Sequence, residues 1–229
     1  MARLVNDMDI MEMFMLTAVD TRHRILYNYG SVLANGLSGI AVIELIRRGR
    51  LAFEDRRLIV RDAAPTRDEL LDEALQLLSA KTAKRLESWI VSLPYKIQRF
   101  SKRVMERLED NGMIRIDSER FLGLIPYTRY TVTNESERNR IVNAVRDVLL
   151  KGSRTAEREI VLIVSIATAC GFVEKYFSRE ERKGMRETFK QLKKGTYFET
   201  ADDEAMKQVV KAIQRVLDAV HSATIAAGA

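Results

Sequence analysis

The chain has 229 residues, with 38 Lys+Arg against 32 Asp+Glu and a formal net charge of +6. That is enough sequence for one sizeable core, and the modest cationic excess favours anionic partners such as phospholipid headgroups or nucleic acid. A single cysteine, Cys170, rules out an intrachain disulfide, and the two histidines, His23 and His221, are too far apart for zinc-like spacing. The sequence also lacks a P-loop, a GxSxG and a GxGxxG string, so we expect no enzyme, no metal and no cofactor.

Taken in order, Met11, Phe14, Met15 and Val19 begin a first helix at helical spacing. Residues 31–47 predict a second helix whose apolar residues nearly surround it, as in a central buried helix. Within it, Gly36 and Gly39 lower helix propensity but permit close approach of another backbone. Residues 51–60 read as a short hairpin, followed by helices at 67–80, 84–93 and 95–111, with Pro94 separating the last two. Gly112 closes that helix, 113–116 forms a strand, and 121–132 forms a second hairpin bent at Pro126. Helices recur at 135–150, 155–176, 179–194 and 203–224. The expected fold is mainly α, a single helical domain over 1–229 with a central buried helix and short β-hairpins. It has a short N-terminal lead at 1–10 and a C-terminal helix within 196–229.

The longest apolar stretch, 160–173, is interrupted by Ser165, Thr168 and Gly171 and is shorter than the roughly 20 residues of a spanning helix. Asp7 comes too early for the apolar region of a secretory signal, so no export is expected. Any membrane association is therefore expected to be peripheral, on the cytosolic face.

Two segments are candidate binding surfaces. On the helix at 95–111, Ile97, Val104 and Leu108 mark a buried stripe, and Lys96, Arg99, Lys102, Arg103 and Arg107 gather on the remaining side. Such a face attracts anionic lipid; the plainer alternative is a solubilising surface partly neutralised by Glu106 and Glu109. The second segment, Phe121-Leu122-Gly123-Leu124-Ile125-Pro126-Tyr127, is apolar and flanked by Arg120, Arg129 and Tyr130. It suits insertion at a membrane interface, or equally a hairpin folded onto its own core, and the exposure of Leu124 and Ile125 separates the two. Asp68, Asp72 and Glu73 are read as helix-start electrostatics rather than acid–base catalysis, His23 as a surface residue and Trp89 as core.

The string Ala64-Pro65-Thr66-Arg67-Asp68-Glu69-Leu70-Leu71-Asp72-Glu73-Ala74-Leu75 is the most specific in the chain. Together with Ile43-Glu44-Leu45, Arg48-Gly49-Arg50-Leu51, Arg107-Leu108 and Gly112-Met113-Ile114, it resembles the pattern of the Golgi phosphoprotein 3 family over about 11–195. The resemblance implies peripheral binding to phosphoinositide-bearing membranes, insertion and self-association through the 121–132 hairpin, and contact with the tails of membrane enzymes. In lipid-binding members the headgroup pocket uses one aromatic residue and three arginines. Those positions fall on Tyr29 and on Ser38, Gln98 and Ser101, so only the aromatic character is retained and selectivity for phosphatidylinositol 4-phosphate is left open. The expected headgroup site is Tyr29 with the neighbouring cations Arg99, Lys102 and Arg103, and the expected insertion hairpin carries Phe121, Leu122, Leu124 and Ile125. Two alternatives remain at this point: a protein–protein adaptor, and a winged-helix-like nucleic-acid binder built on 103–116 and the hairpin. The apolar hairpin tip makes the nucleic-acid reading the weaker one.

Overall fold

The computed structural model describes residues 8–22, 24–26, 30–54, 57–80, 84–121, 124–152, 156–198 and 203–227. Helix α1 (Ile10–Thr17) starts with a capping box, in which Asp9 accepts from the Glu12 N–H and Glu12 accepts from the Asp9 N–H. A two-residue ladder of β1 (Val19–Asp20) with β2 (Ile25–Leu26) leads to α2 (Ser31–Arg47), whose bounds are those expected and whose residues are mostly buried. β3 (Leu51–Glu54) and β4 (Arg57–Val60) form the expected first hairpin. After α3 (Glu69–Ser79), the short strand β5 (Lys84–Arg85) joins the hairpin beside β4. Strands of two residues carry too little alternation to be legible, so β1, β2 and β5 leave no mark in the sequence.

Helix α4 (Leu86–Lys96) contains Pro94 and continues through it, contrary to the expected break at that residue. Pro94 sits in the last turn, where it removes one backbone bond, while buried Trp89, Ile90 and Leu93 hold the helix against the core. The break comes instead at Arg99, which adopts a left-handed conformation (φ 56°, ψ 31°) before α5 (Phe100–Asp110). The expected helix at 95–111 is thus the end of one helix and the whole of another.

The second hairpin also differs from expectation. Its strands are β6 (Ile114–Phe121) and β7 (Ile125–Val132), paired from Ile114↔Val132 to Phe121↔Ile125. The apolar segment at 121–127 is therefore a tip rather than a complete hairpin. The half-polar strand Ile-Arg-Ile-Asp-Ser-Glu-Arg-Phe hid its extent, because neither of its faces is fully packed.

The C-terminal half is helical: α6 (Glu135–Lys151), α7 (Arg158–Ala169), a 3-10 turn at Val173–Tyr176, α8 (Arg179–Gly184), α9 (Arg186–Lys194) and α10 (Glu204–Ala227). Gly171, at φ 74°, ends the run expected to continue to residue 176, and Met185 divides the expected helix at 179–194. The fold is mainly α. Its core runs through α2, which touches α1, α3, α4, α5 and α10. Gly36 and Gly39 allow that packing: a Cβ at Gly36 would lie 2.8 Å from Phe14 Cζ, and one at Gly39 would lie 2.3 Å from Ile213 Cδ1.

Candidate functional site: a basic helix and an apolar hairpin tip

The cations of α5 do not form one open face. Arg103 meets Glu73 at 2.7 Å and Glu69 at 3.1 Å, and its side chain is only 20% exposed. Arg107 is held in bidentate fashion by Asp68, at 2.9 and 3.0 Å, and lies 3.4 Å from Asp9. Asp68 also caps α3 by accepting from the Leu71 N–H. Burial pushes the Asp68 carboxyl upward, but the Arg107 guanidinium and the N–H groups at the start of α3 outweigh it, so its pKa is lowered. Burial wins at Asp9 and Glu12, whose pKa values are raised.

Arg99 bonds Glu106, and Lys102 lies 3.9 Å from the same carboxylate oxygen. Lys96 stands over the Trp89 ring at 5.7 Å. The expected row of five cations is thereby corrected. Two are tied to α3, one lies on a different helix, and Arg99 and Lys102 remain exposed around a single shared carboxylate. The acidic residues of the motif string are not only helix-start electrostatics; they are partners for α5.

At the positions matched to family arginines, Ser38 is fully buried and donates its hydroxyl to the Ala34 carbonyl at 3.0 Å. Gln98 is exposed and Ser101 half-buried. Tyr29, His23 and Leu122 lie outside the described residues, as does the side chain of Phe121. Trp89 is core, as expected.

The hairpin is tied down at its base, and the described residues at its end are exposed. Thr133 N–H donates to the Met113 carbonyl at 2.9 Å, Tyr130 N–H to the Arg24 carbonyl at 2.7 Å, and Ile116 N–H to Glu109 at 2.7 Å. At the tip Leu124 is 83% exposed and Ile125 63%. Nearby, Arg120 is exposed, while Arg129 pairs with Glu119 at 2.9 Å and the Tyr127 hydroxyl donates to the same carboxylate. Tyr95, at the end of α4, is 78% exposed and is not among the expected site residues. No sequence signal marks it, since its exposure follows from where α4 stops.

None of the helices in the described residues is long and apolar enough to cross a membrane, and the described residues contain no group of metal-ligating side chains. These features define a mainly helical fold with an antiparallel hairpin whose described tip residues, Leu124 and Ile125, are apolar and exposed. Residues 10–216 match the family model for Golgi phosphoprotein 3 (GPP34), from the first residue of α1 into α10, and the chain belongs to that family.

Proposed function

We propose that the chain is a peripheral binding module for anionic phospholipid surfaces on the cytosolic face of a membrane, phosphoinositide-bearing ones included. The observation that carries this reading is the pair Leu124 and Ile125, adjacent and largely exposed at the end of a hairpin whose described anchoring contacts lie towards its base. Inserting two such side chains contributes roughly 3–5 kcal/mol at most, too little for stable attachment, so a second, electrostatic attraction is needed. Arg99, Lys102 and Arg120 are the exposed cations we assign to it, each contributing about 1 kcal/mol near an anionic surface. Tyr29 is assigned to the headgroup site by its family position, whereas Arg103, bound to Glu69 and Glu73, is not assigned to it.

The enclosure of Ser38 favours response to total surface charge over recognition of one headgroup, because no arginine fork occupies that position. Nucleic-acid binding fits less well: Arg103 and Arg107 are engaged by carboxylates, and the tip of the supposed wing is apolar. We assign a binding role, with membrane-enzyme tails as candidate cargo.

The test is co-sedimentation with phosphatidylcholine vesicles, with and without phosphatidylserine or phosphatidylinositol 4-phosphate at matched charge. Binding is expected only to the anionic vesicles, to weaken with salt, and to differ little between the two anionic lipids. Leu124→Glu with Ile125→Glu is expected to reduce it at least tenfold without changing the melting temperature. Unchanged vesicle binding by that variant sinks the insertion role. Loss of a dimer on size exclusion, with vesicle binding intact, assigns the tip to self-association instead.

A further inference from the structure

A cleft of about 710 Å³ opens between the β3–β4–β5 sheet, the start of α4 and α10. Its rim carries Arg57, Arg85, Lys211 and Arg215 against two carboxylates, Glu87 and Glu204. Both carboxylates are in use, Glu87 with Arg215 at 2.5 Å and Glu204 with Lys207 at 3.6 Å. Among the described residues, no ion pair engages Arg57, Arg85 or Lys211.

Three arrangements of like charge converge there. Arg57 and Arg85 are direct cross-strand partners in the β4–β5 ladder, a placement in which equal charges repel. Lys211 and Arg215 lie four residues apart on α10, again as neighbours of the same sign. Arg85 is also the N-cap residue of α4, where the helix dipole favours a negative charge and no side chain caps the free N–H groups. Glu87, in the first turn of α4 and paired with Arg215, offsets part of the second and third arrangements; the Arg57–Arg85 pair has no such partner among the described residues, and a bound anion would relieve it.

We propose that this cleft is a binding site for a phosphate-bearing ligand, held by Arg57, Arg85 and Lys211. The guanidinium forks match phosphate oxygens, and the N–H groups at the start of α4 add donors. Buried Leu86 and half-buried Phe53 give the rest of the ligand an apolar wall. The site is separate from the candidate headgroup position. α4 spans 11 residues, ~16 Å, with the cleft at its first turn and Gln98 just beyond its last. The same chemistry is offered by a soluble phosphorylated metabolite and by a phosphomonoester lipid.

The test uses inorganic pyrophosphate as the probe in thermal melts, with sodium chloride at matched ionic strength as control. Pyrophosphate is expected to raise the melting temperature of the wild-type chain by several degrees, and to do so far less in Arg57→Gln/Arg85→Gln. Without ligand, that variant should melt no lower than wild type, because a repulsion has been removed. Lys211→Gln, a single change on α10, provides the same comparison if the double variant does not fold. To separate the sources, phosphatidylcholine vesicles with and without phosphatidic acid are titrated against both proteins. Vesicle binding that depends on Arg57 and Arg85 and is competed by pyrophosphate assigns a lipid headgroup; pyrophosphate binding with vesicle binding unaltered by the substitutions assigns a soluble ligand. The same thermal shift in wild type and variants, or the same shift with sodium chloride, overturns the proposal. Leu124→Glu/Ile125→Glu should leave the pyrophosphate response intact, so failure of the insertion reading does not decide this one.

Discussion

The guanidinium of Arg107 and the carboxylate of Asp68 lie side by side, Nη1 to Oδ2 at 2.9 Å and Nη2 to Oδ1 at 3.0 Å, joining α5 to the first turn of α3. Asp68 thus does two things at once, capping its own helix and fixing a neighbouring one. Asp68→Ala removes the cap and leaves a largely buried guanidinium with Asp9 as its remaining ion-pair partner among the described residues, and is expected to cost about 2–4 kcal/mol of stability. Asp68→Asn keeps a capping oxygen and should cost about half as much. Urea unfolding measures both; a loss below about 0.5 kcal/mol for the alanine variant would show that the pair is energetically idle.

The same carboxylate gives a pH signature. Its folded pKa is lowered, since burial raises it but Arg107 and the N–H groups at the start of α3 together prevail. Its contribution is therefore fully present above the ordinary value of 3.8 and is lost as pH falls through the lower folded value. Asp9 and Glu12 act in the opposite sense: burial raises their pKa values, so the folded state takes up protons first and stability from these two rises as pH falls towards their ordinary values of 3.8 and 4.5. The difference in urea midpoint between wild type and Asp68→Asn should hold from about pH 7 down to about pH 4 and shrink only below that. A difference already shrinking near neutrality would assign the coupling to another group.

Gly39 sets how closely α10 approaches α2. An alanine Cβ there would sit 2.3 Å from Ile213 Cδ1 and 3.2 Å from Val209 Cγ1. Helix propensity favours alanine by about 1 kcal/mol, but overpacking of this contact costs about 1–3 kcal/mol, so Gly39→Ala is expected to be destabilising by about 1 kcal/mol. Ile213→Val in the same background should recover part of that loss, and a double-mutant cycle reads the coupling. Strict additivity of the two changes would show that α10 shifts freely.

Arg67 lies in the motif string with φ 71°, exposed, ahead of the α3 cap. A left-handed conformation costs a side-chain-bearing residue about 1–2 kcal/mol, and glycine returns about half of that through its freer unfolded chain. Arg67→Gly is accordingly expected to stabilise by about 0.5–1 kcal/mol and to raise the melting temperature. A lower melting temperature would mean that the side chain holds a contact worth more than the strain.

The sequence by itself determined those parts whose cause is local. Apolar residues on every side of 31–47 mark a buried helix, and the Pro65 to Asp68 stretch marks a helix start, because periodicity and capping are written in neighbouring residues. Burial of Trp89 and the family pattern were legible in the same way. Only the tertiary structure decided which charges stay free. A projection of α5 groups Arg103 and Arg107 with Arg99 and Lys102, since it contains that helix alone, yet Glu73 and Asp68 claim two of them from 30 and 39 residues away. The hairpin tip shows the same limit: Leu124 and Ile125 would look identical in a buried strand, and their exposure is visible only in the folded chain. The cleft cations come from three separate segments, and no local pattern joins Arg57, Arg85 and Lys211. Side-chain periodicity records what a segment can bury, whereas ion pairing and exposure depend on which distant segment the fold brings alongside.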